Sequence, residues 1–130
     1  MGILNIFFGK AKNKPMEENK VPWIPLIALD QLEEIKKKSE IKTQVVFKHS
    51  VTCGISRMLL NTFVRGYDLA REEIDLYYLD LHRHREVSKE AGYKFQVIHQ
   101  SPQLLVIKNG EVVAHGSHGD INAIDLSAYI

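Results

Sequence analysis

The order in which strand-like and helix-like segments alternate limits the fold of this chain more than any other feature. Residues 43–48 are β-branched and aromatic enough for a strand, and residues 53 to about 64 carry apolar side chains at helical spacing. The pattern further predicts a strand over 74–80, a helix over 83–91 that ends at Gly92, strands over 104–107 and 111–115, and a last helix from about Asp120. Asn109-Gly110 favours a two-residue hairpin turn between the last two strands.

This β-α-β-α-β-β-α order predicts an α/β fold, with a mixed four-stranded sheet flanked by helices on both faces. The first two strands should be parallel, because a helix connects them through a right-handed crossover, and the hairpin should be antiparallel. Ligand sites in such sheets form at the carboxyl ends of the strands. We therefore expect the functional site just after residue 48, where the first strand ends.

The first 20 residues differ in composition from the rest. Residues 1–8 are apolar but too short for a membrane span, so we expect a frayed terminus or a locally packed helix rather than a membrane-surface anchor. Residues 10–20 are typical of a linker. The chain thus divides into a leader over 1–20, including an N-terminal helical extension, and one domain over 21–130. Prolines should keep residues 21–26 extended, and Asp30 should cap the next helix with Glu33 closing a capping box.

Composition excludes several classes of protein. The 130 residues are 45% hydrophobic with a formal net charge of +1, so they can bury one core but lack the positive charge typical of nucleic-acid binding. Cys53 is the only cysteine. A disulfide within the chain is therefore excluded, which fits the reducing cytoplasm.

Cys53 follows the first strand and a short polar turn, at the start of a helix. Unpaired backbone N–H groups and the positive end of the helix dipole favour a thiolate there. Ser56 stands three residues on, where a dithiol enzyme carries its second cysteine, so the motif Cys-x-x-Ser provides a nucleophile without a resolving partner. The alternative is a buried structural cysteine.

Neighbouring side chains can support this thiolate. The hydroxyls of Thr52 and Ser56 could donate hydrogen bonds to it, and Lys48 and His49 could add positive potential. Because side chains alternate between the faces of a strand, Lys48 and His49 cannot both face the site.

Pro102 should stand at the entrance of the third strand, since a proline in a central strand removes a ladder hydrogen bond. The Ser101-Pro102 bond is a candidate for the cis form. A cis bond would present the backbone of Ser101 beside Cys53, where an extended thiol ligand could pair with it.

The histidines do not predict a metal site. His82 and His84 flank a helix start and are expected at the surface, while His99, His115 and His118 lie on separate elements. Their spacing matches no compact zinc motif, so we expect no metal and treat a core histidine as the default.

These features together resemble the thioredoxin fold and, more narrowly, the monothiol bacilliredoxin (YtxJ-like) family. The resemblance runs from about residue 23 to the C-terminus. It rests on Phe47-Lys48-His49-Ser50, Cys53-x-Ile55-Ser56, Tyr78-x-Asp80-Leu81, Arg85-Glu86-Val87-Ser88, His99-Gln100-Ser101-Pro102-Gln103, Asn109-Gly110 and Ser117-His118. The family's motif usually reads Thr-Cys-Pro-Ile-Ser, and Gly54 replaces that proline here.

The resemblance implies a cytoplasmic oxidoreductase that removes bacillithiol from S-thiolated client proteins. Cys53 would attack the bacillithiol sulfur, and a second molecule of this low-molecular-weight thiol would resolve the adduct. No tightly bound cofactor is implied. Two alternatives stay open: an iron–sulfur carrier like the monothiol glutaredoxins, whose Cys-Gly-Phe-Ser motif Gly54 approaches, and a thioredoxin-like adaptor without enzymatic activity.

Overall fold

The computed structural model describes residues 21–130, whose strands form a five-stranded mixed sheet. The strands are β1 (Trp23–Pro25), β2 (Thr43–His49), β3 (Ile74–Asp80), β4 (Gln103–Lys108) and β5 (Glu111–Ser117). The α-helices are α1 (Asp30–Lys38), α2 (Gly54–Gly66) and α3 (Arg85–Phe95). The leader and helical extension predicted for residues 1–20 lie outside the described residues.

The strand order is β1-β3-β2-β4-β5. Strands β2 and β3 are parallel and β4 and β5 antiparallel, as the sequence predicts. The prediction of four strands is wrong by one, because Trp23–Pro25 pairs in parallel with β3 at the sheet edge. Pro25 is tolerated there, since an edge strand does not need every backbone N–H for pairing.

Helices cover both faces of the sheet. Phe47 on β2 belongs to a buried cluster with Phe63 of α2. Val46, the residue before Phe47, points to the other face and lies in a cluster with Leu32 of α1 and Val87 of α3. The alternation along β2 therefore decides which helix each side chain of this strand meets.

Helix α1 begins at Asp30, but the predicted capping box is wrong. The N-cap residue is Leu29, and its side chain makes no capping hydrogen bond. Gln31 serves this end instead, because its Oε1 accepts hydrogen bonds of 2.7 and 2.9 Å from the backbone N–H groups of the two residues before Leu29. Glu33 reaches Lys94 of α3 at 2.6 Å, and this ammonium lowers the pKa of the carboxyl group.

Helix α3 continues through Gly92, so the predicted end at residue 91 is wrong. It ends at Phe95, and Gln96 takes the left-handed conformation (φ 57°, ψ 49°) that terminates the helix. A Cβ on Gly92 would lie 3.0 Å from the carbonyl oxygen of Val97. The glycine therefore allows the chain to return closely over the helix rather than ending it.

The β4–β5 hairpin has the predicted turn. Asn109 (φ 53°) and Gly110 (φ 81°) are both left-handed, which this turn type requires. Their N–H groups donate to the carbonyl oxygen and to Oγ of Ser39, each at 2.8 Å, so the turn rests on the end of α1.

The chain ends in helical segments that are shorter and tighter than a regular α-helix. Two 3-10 helices, His118–Ala123 and Leu126–Tyr129, replace the single helix expected from about Asp120. Within residues 21–130, no helix is both long and apolar enough to cross a membrane.

Candidate active site

Cys53 lies beyond the carboxyl end of β2, at the N-cap position of α2. Its backbone is extended (φ −106°, ψ 120°), and its side chain is partly exposed. The N–H group of Cys53 donates to the carbonyl oxygen of Ser50 at 3.2 Å, and its own carbonyl accepts from the N–H of Arg57 at 3.1 Å. The thiol thus has access to solvent at the positive end of a 13-residue helix.

Ser56 is fully buried beneath this turn. Its Oγ accepts a 3.1 Å hydrogen bond from the N–H of Ser50 and lies 2.8 Å from Nδ1 of His49. The predicted contribution of Ser56 to the thiolate is therefore indirect, because these contacts tie its hydroxyl to the chain that leads from β2 to Cys53.

His82 braces the same turn from the loop after β3. Its Nε2 lies 2.8 Å from Oγ of Ser50 and 3.2 Å from Oγ1 of Thr52. His82 is exposed, as sequence reasoning predicted, but that reasoning assigned it no contact with the turn. The pairing of the strands could have predicted this contact, because β2 and β3 are neighbours. His49 pairs with Asp80, two residues before His82.

The Ser101-Pro102 peptide bond is cis. Pro102 is buried, and its carbonyl oxygen accepts a 3.3 Å hydrogen bond from the N–H of His118. The next residue, Gln103, begins β4 and pairs with Lys48 of β2. The cis bond therefore lies at the end of the sheet from which the chain runs to Cys53.

Residues 24–126 match the family described as monothiol bacilliredoxin BrxC. The chain belongs to this family. The family is one of thiol–disulfide oxidoreductases, and the only cysteine of this chain, Cys53, lies at the N-terminus of α2.

Solved structures show that the chain has a thioredoxin fold. A protein provisionally described as an oxidoreductase with a thioredoxin fold is 35% identical, with a TM-score of 0.69 over 86% of this chain and 95% of that one. Malassezia sympodialis thioredoxin (20% identity, TM-score 0.62, 81% and 84% covered) is also similar. So is Trypanosoma brucei brucei thioredoxin (13%, 0.60, 80% and 85%). The last two likenesses concern the fold alone.

Lys48 and His49 point to opposite faces of the sheet, as the alternation predicts. His49 is buried on the α2 face, and burial lowers its pKa, with Asp80 acting in the opposite direction. Its imidazole is therefore neutral at neutral pH and supplies hydrogen bonding rather than a full positive charge. Lys48 reaches Ser88 of α3 on the other face.

Gly54 stands at the first position of α2, where the family motif usually has proline. A Cβ added to Gly54 would meet no atom within 4 Å. A side chain at residue 54 would therefore point into open space, and no positive φ requires a glycine there.

Within residues 21–130, no three His, Cys, Asp or Glu side chains lie close enough together to hold a metal ion. His99 lies against Lys48 and Ser88, and His82 lies against Ser50. These two histidines thus have polar partners within the protein.

Proposed function

We propose that the chain reduces mixed disulfides between bacillithiol and client proteins in the cytoplasm, with Cys53 as the nucleophile. The observation that carries this proposal is the position of the only cysteine, partly exposed at the N-cap of α2 in a chain of the bacilliredoxin family. A helix N-terminus stabilises a thiolate, and the thiolate is the form that attacks a disulfide.

The reaction has two exchange steps. The Cys53 thiolate attacks the bacillithiol sulfur of the client mixed disulfide, and the client sulfur leaves as a thiolate that takes a proton from solvent. Cys53 then carries bacillithiol through a new disulfide. The thiolate of a second bacillithiol attacks the bacillithiol sulfur of this adduct, which releases bacillithiol disulfide and restores the Cys53 thiolate.

The remaining site residues shape the turn and receive the thiol. Thr52 and Ser56 hold the turn through His82 and His49, and Gly54 begins the helix directly after Cys53. Ser101 and Pro102 would offer backbone groups to the amide of an extended thiol ligand. The chemistry requires only thiols, so no tightly bound cofactor takes part.

Competition between two oxidised thiols tests the proposal. The protein is exposed to equal amounts of bacillithiol disulfide and glutathione disulfide, and intact-mass spectrometry identifies the adduct. We expect a bacillithiol adduct on Cys53 in excess over glutathione, and no adduct on the Cys53→Ser variant. An equal mixture would contradict the specificity for bacillithiol, and an unmodified wild type would contradict the enzyme and favour the adaptor.

One observation favours a second candidate, an iron–sulfur carrier. Gly54 gives the motif Cys-Gly-Ile-Ser, which is close to the Cys-Gly-Phe-Ser motif with which monothiol glutaredoxins bind a cluster across a dimer. Visible absorbance of freshly purified protein separates the two candidates. A cluster gives a broad band that disappears in Cys53→Ser, whereas the oxidoreductase is colourless.

A further inference from the structure

Lys48 is a fully buried lysine on the face of the sheet that Cys53 does not use. Its Nζ lies 3.1 Å from the carbonyl oxygen of Ser88 and 3.2 Å from Nδ1 of His99. In residues 21–130, no carboxylate lies within ion-pair distance of it; the ion pairs found there join Lys42 to Asp75 and Lys94 to Glu33. Burying an ammonium without a counter-ion costs free energy of folding. The two hydrogen bonds of Lys48 offset only part of that cost, which indicates a function for the lysine.

The contact with His99 fixes the state of that imidazole. An ammonium only donates hydrogen bonds, so Nδ1 of His99 must accept and the ring must carry its proton on Nε2. Partial burial of the ring, and then the charge of Lys48, lower the pKa of His99 and favour its neutral form. Oγ of Ser88 lies 3.3 Å from the same Nδ1. Lys48 therefore joins α3 to the segment that contains His99.

That segment leads directly to the cis bond. His99 stands two residues before Ser101, and Gln103 holds the same loop from its other end. Nε2 of Gln103 donates to the carbonyl oxygen of Ile98 at 3.0 Å, and its Oε1 accepts from the N–H of Gln100 at 3.4 Å. The contact of His99 with Lys48 connects this loop to β2, in the middle of the sheet.

We propose that Lys48 is a positioning residue that, through His99, holds the backbone of Ser101 in place for pairing with the amide of an incoming thiol ligand. This inference rests on the proposed function, because it assigns the binding of the thiol to the loop before Pro102. Methionine would fill nearly the same volume without a buried charge, so packing alone does not require a lysine at this position.

Two disulfides of different chemistry test the proposal. Glutathione disulfide has amides that can pair with Ser101, whereas hydroxyethyl disulfide has none. The rate of adduct formation on Cys53 is measured for each by intact-mass spectrometry. We expect Lys48→Met to slow the reaction with glutathione disulfide by about tenfold, the effect of roughly one hydrogen bond, and to leave hydroxyethyl disulfide within about twofold. Lys42→Met, a lysine paired at the surface, should change neither rate.

A second variant shows whether Lys48 acts through His99. His99 is exposed, so His99→Ala should fold even if Lys48→Met does not. It should slow glutathione disulfide to a similar extent, and the double variant should be no slower than either single variant, because both remove the same tie. Nitrogen NMR of His99 should show the Nε2–H form in the wild type and a mixture of tautomers in Lys48→Met.

Equal slowing of both disulfides, additive effects in the double variant, or unchanged His99 shifts would each overturn the positioning role. A wild type whose Cys53 forms no adduct with bacillithiol disulfide would instead overturn the proposed function. The two failures are therefore distinguishable.

Discussion

Oγ of Ser56 lies 2.8 Å from Nδ1 of His49, at the position where a dithiol enzyme of this fold would carry its second cysteine. The same oxygen accepts the N–H of Ser50. The serine that makes this motif monothiol therefore also fastens the turn that presents Cys53. Replacing it affects the stability of the turn, besides any effect on the chemistry.

We expect Ser56→Ala to lower the free energy of unfolding by about 1–3 kcal/mol, because it leaves a buried N–H and a buried imidazole nitrogen without a partner. Most of the thiol exchange should remain, since a hydroxyl cannot resolve a disulfide. Urea denaturation measures the first effect. Thr62→Ala, which removes an exposed hydroxyl from the same helix, is the control and should stay within about 0.5 kcal/mol of the wild type. Equal stabilities for both variants would show that the Ser56 contacts contribute nothing.

Gly54→Pro should stabilise the protein by about 0.4–1 kcal/mol, because proline restricts the unfolded chain and fits the first position of a helix. Cys53 already has the extended conformation (ψ 120°) that a residue before proline prefers, and a Cβ at residue 54 meets no atom within 4 Å.

Gly66→Pro is the matched control for this effect. A Cβ on Gly66 also meets open space, but this residue is in the last turn of α2, where proline removes a helical hydrogen bond. It should destabilise the protein while Gly54→Pro stabilises it. Thermal unfolding of the three proteins measures the order, and a destabilised Gly54→Pro would contradict the expected fit.

Sequence reasoning located Cys53 and the cis Pro102 because each depends on local pattern and on the order of elements. It placed Ser56 near the thiol without its contacts to Ser50 and His49, and it missed the contacts of His82, because these depend on which strands are neighbours and how they are aligned. The pairing of His49 with Asp80 carries His82 to the turn before Cys53. Neither the sequence of β2 nor that of β3 shows by itself how the two strands are aligned.

The same limit explains the errors in the fold. The strand Trp23–Pro25 follows one proline, Pro22, and ends with another. It forms because the edge of β3 is available for pairing. Gly92 looks like a helix stop from its residue type alone, yet it lies inside the helix, where a Cβ would come within 3.0 Å of the carbonyl oxygen of Val97. At Gly92 the segment after the helix outweighs the local preference, whereas at residues 23–25 pairing with β3 adds a strand to a segment that was already predicted to be extended.

His82→Ala should loosen the turn that precedes Cys53, because it removes the contacts of the ring with Ser50 and Thr52. We expect faster amide hydrogen exchange over residues 50–53 and a loss of about 0.5–1.5 kcal/mol in the free energy of unfolding. His84→Ala is the control, since the His84 side chain makes no capping hydrogen bond to α3. The same exchange pattern in both variants would contradict a specific role for His82.

Stability should depend on the titration of Lys48. Burial lowers its pKa from 10.5 to about 8. Between these values the unfolded chain binds more protons than the folded one, so stability rises with pH across this window. Relative to Lys48→Met, the free energy of unfolding of the wild type should increase by roughly 2 kcal/mol from about pH 7 to about pH 10. Denaturation curves of both proteins measure this difference, and a difference that is constant or falls with pH would contradict a buried, charged Lys48.

The monothiol mechanism makes resolution depend on a thiol from outside the chain. With a bacillithiolated client and less free bacillithiol than enzyme, we expect the wild type to accumulate as a Cys53 mixed disulfide, because the chain contains no second thiol to release it. Intact-mass spectrometry over time measures this species, and added bacillithiol should clear it and restore turnover. Cys53→Ser should release no bacillithiol from the client under either condition. Repeated turnover of the wild type without any added thiol would be incompatible with one reactive cysteine, because each cycle must return the Cys53 sulfur to its thiolate.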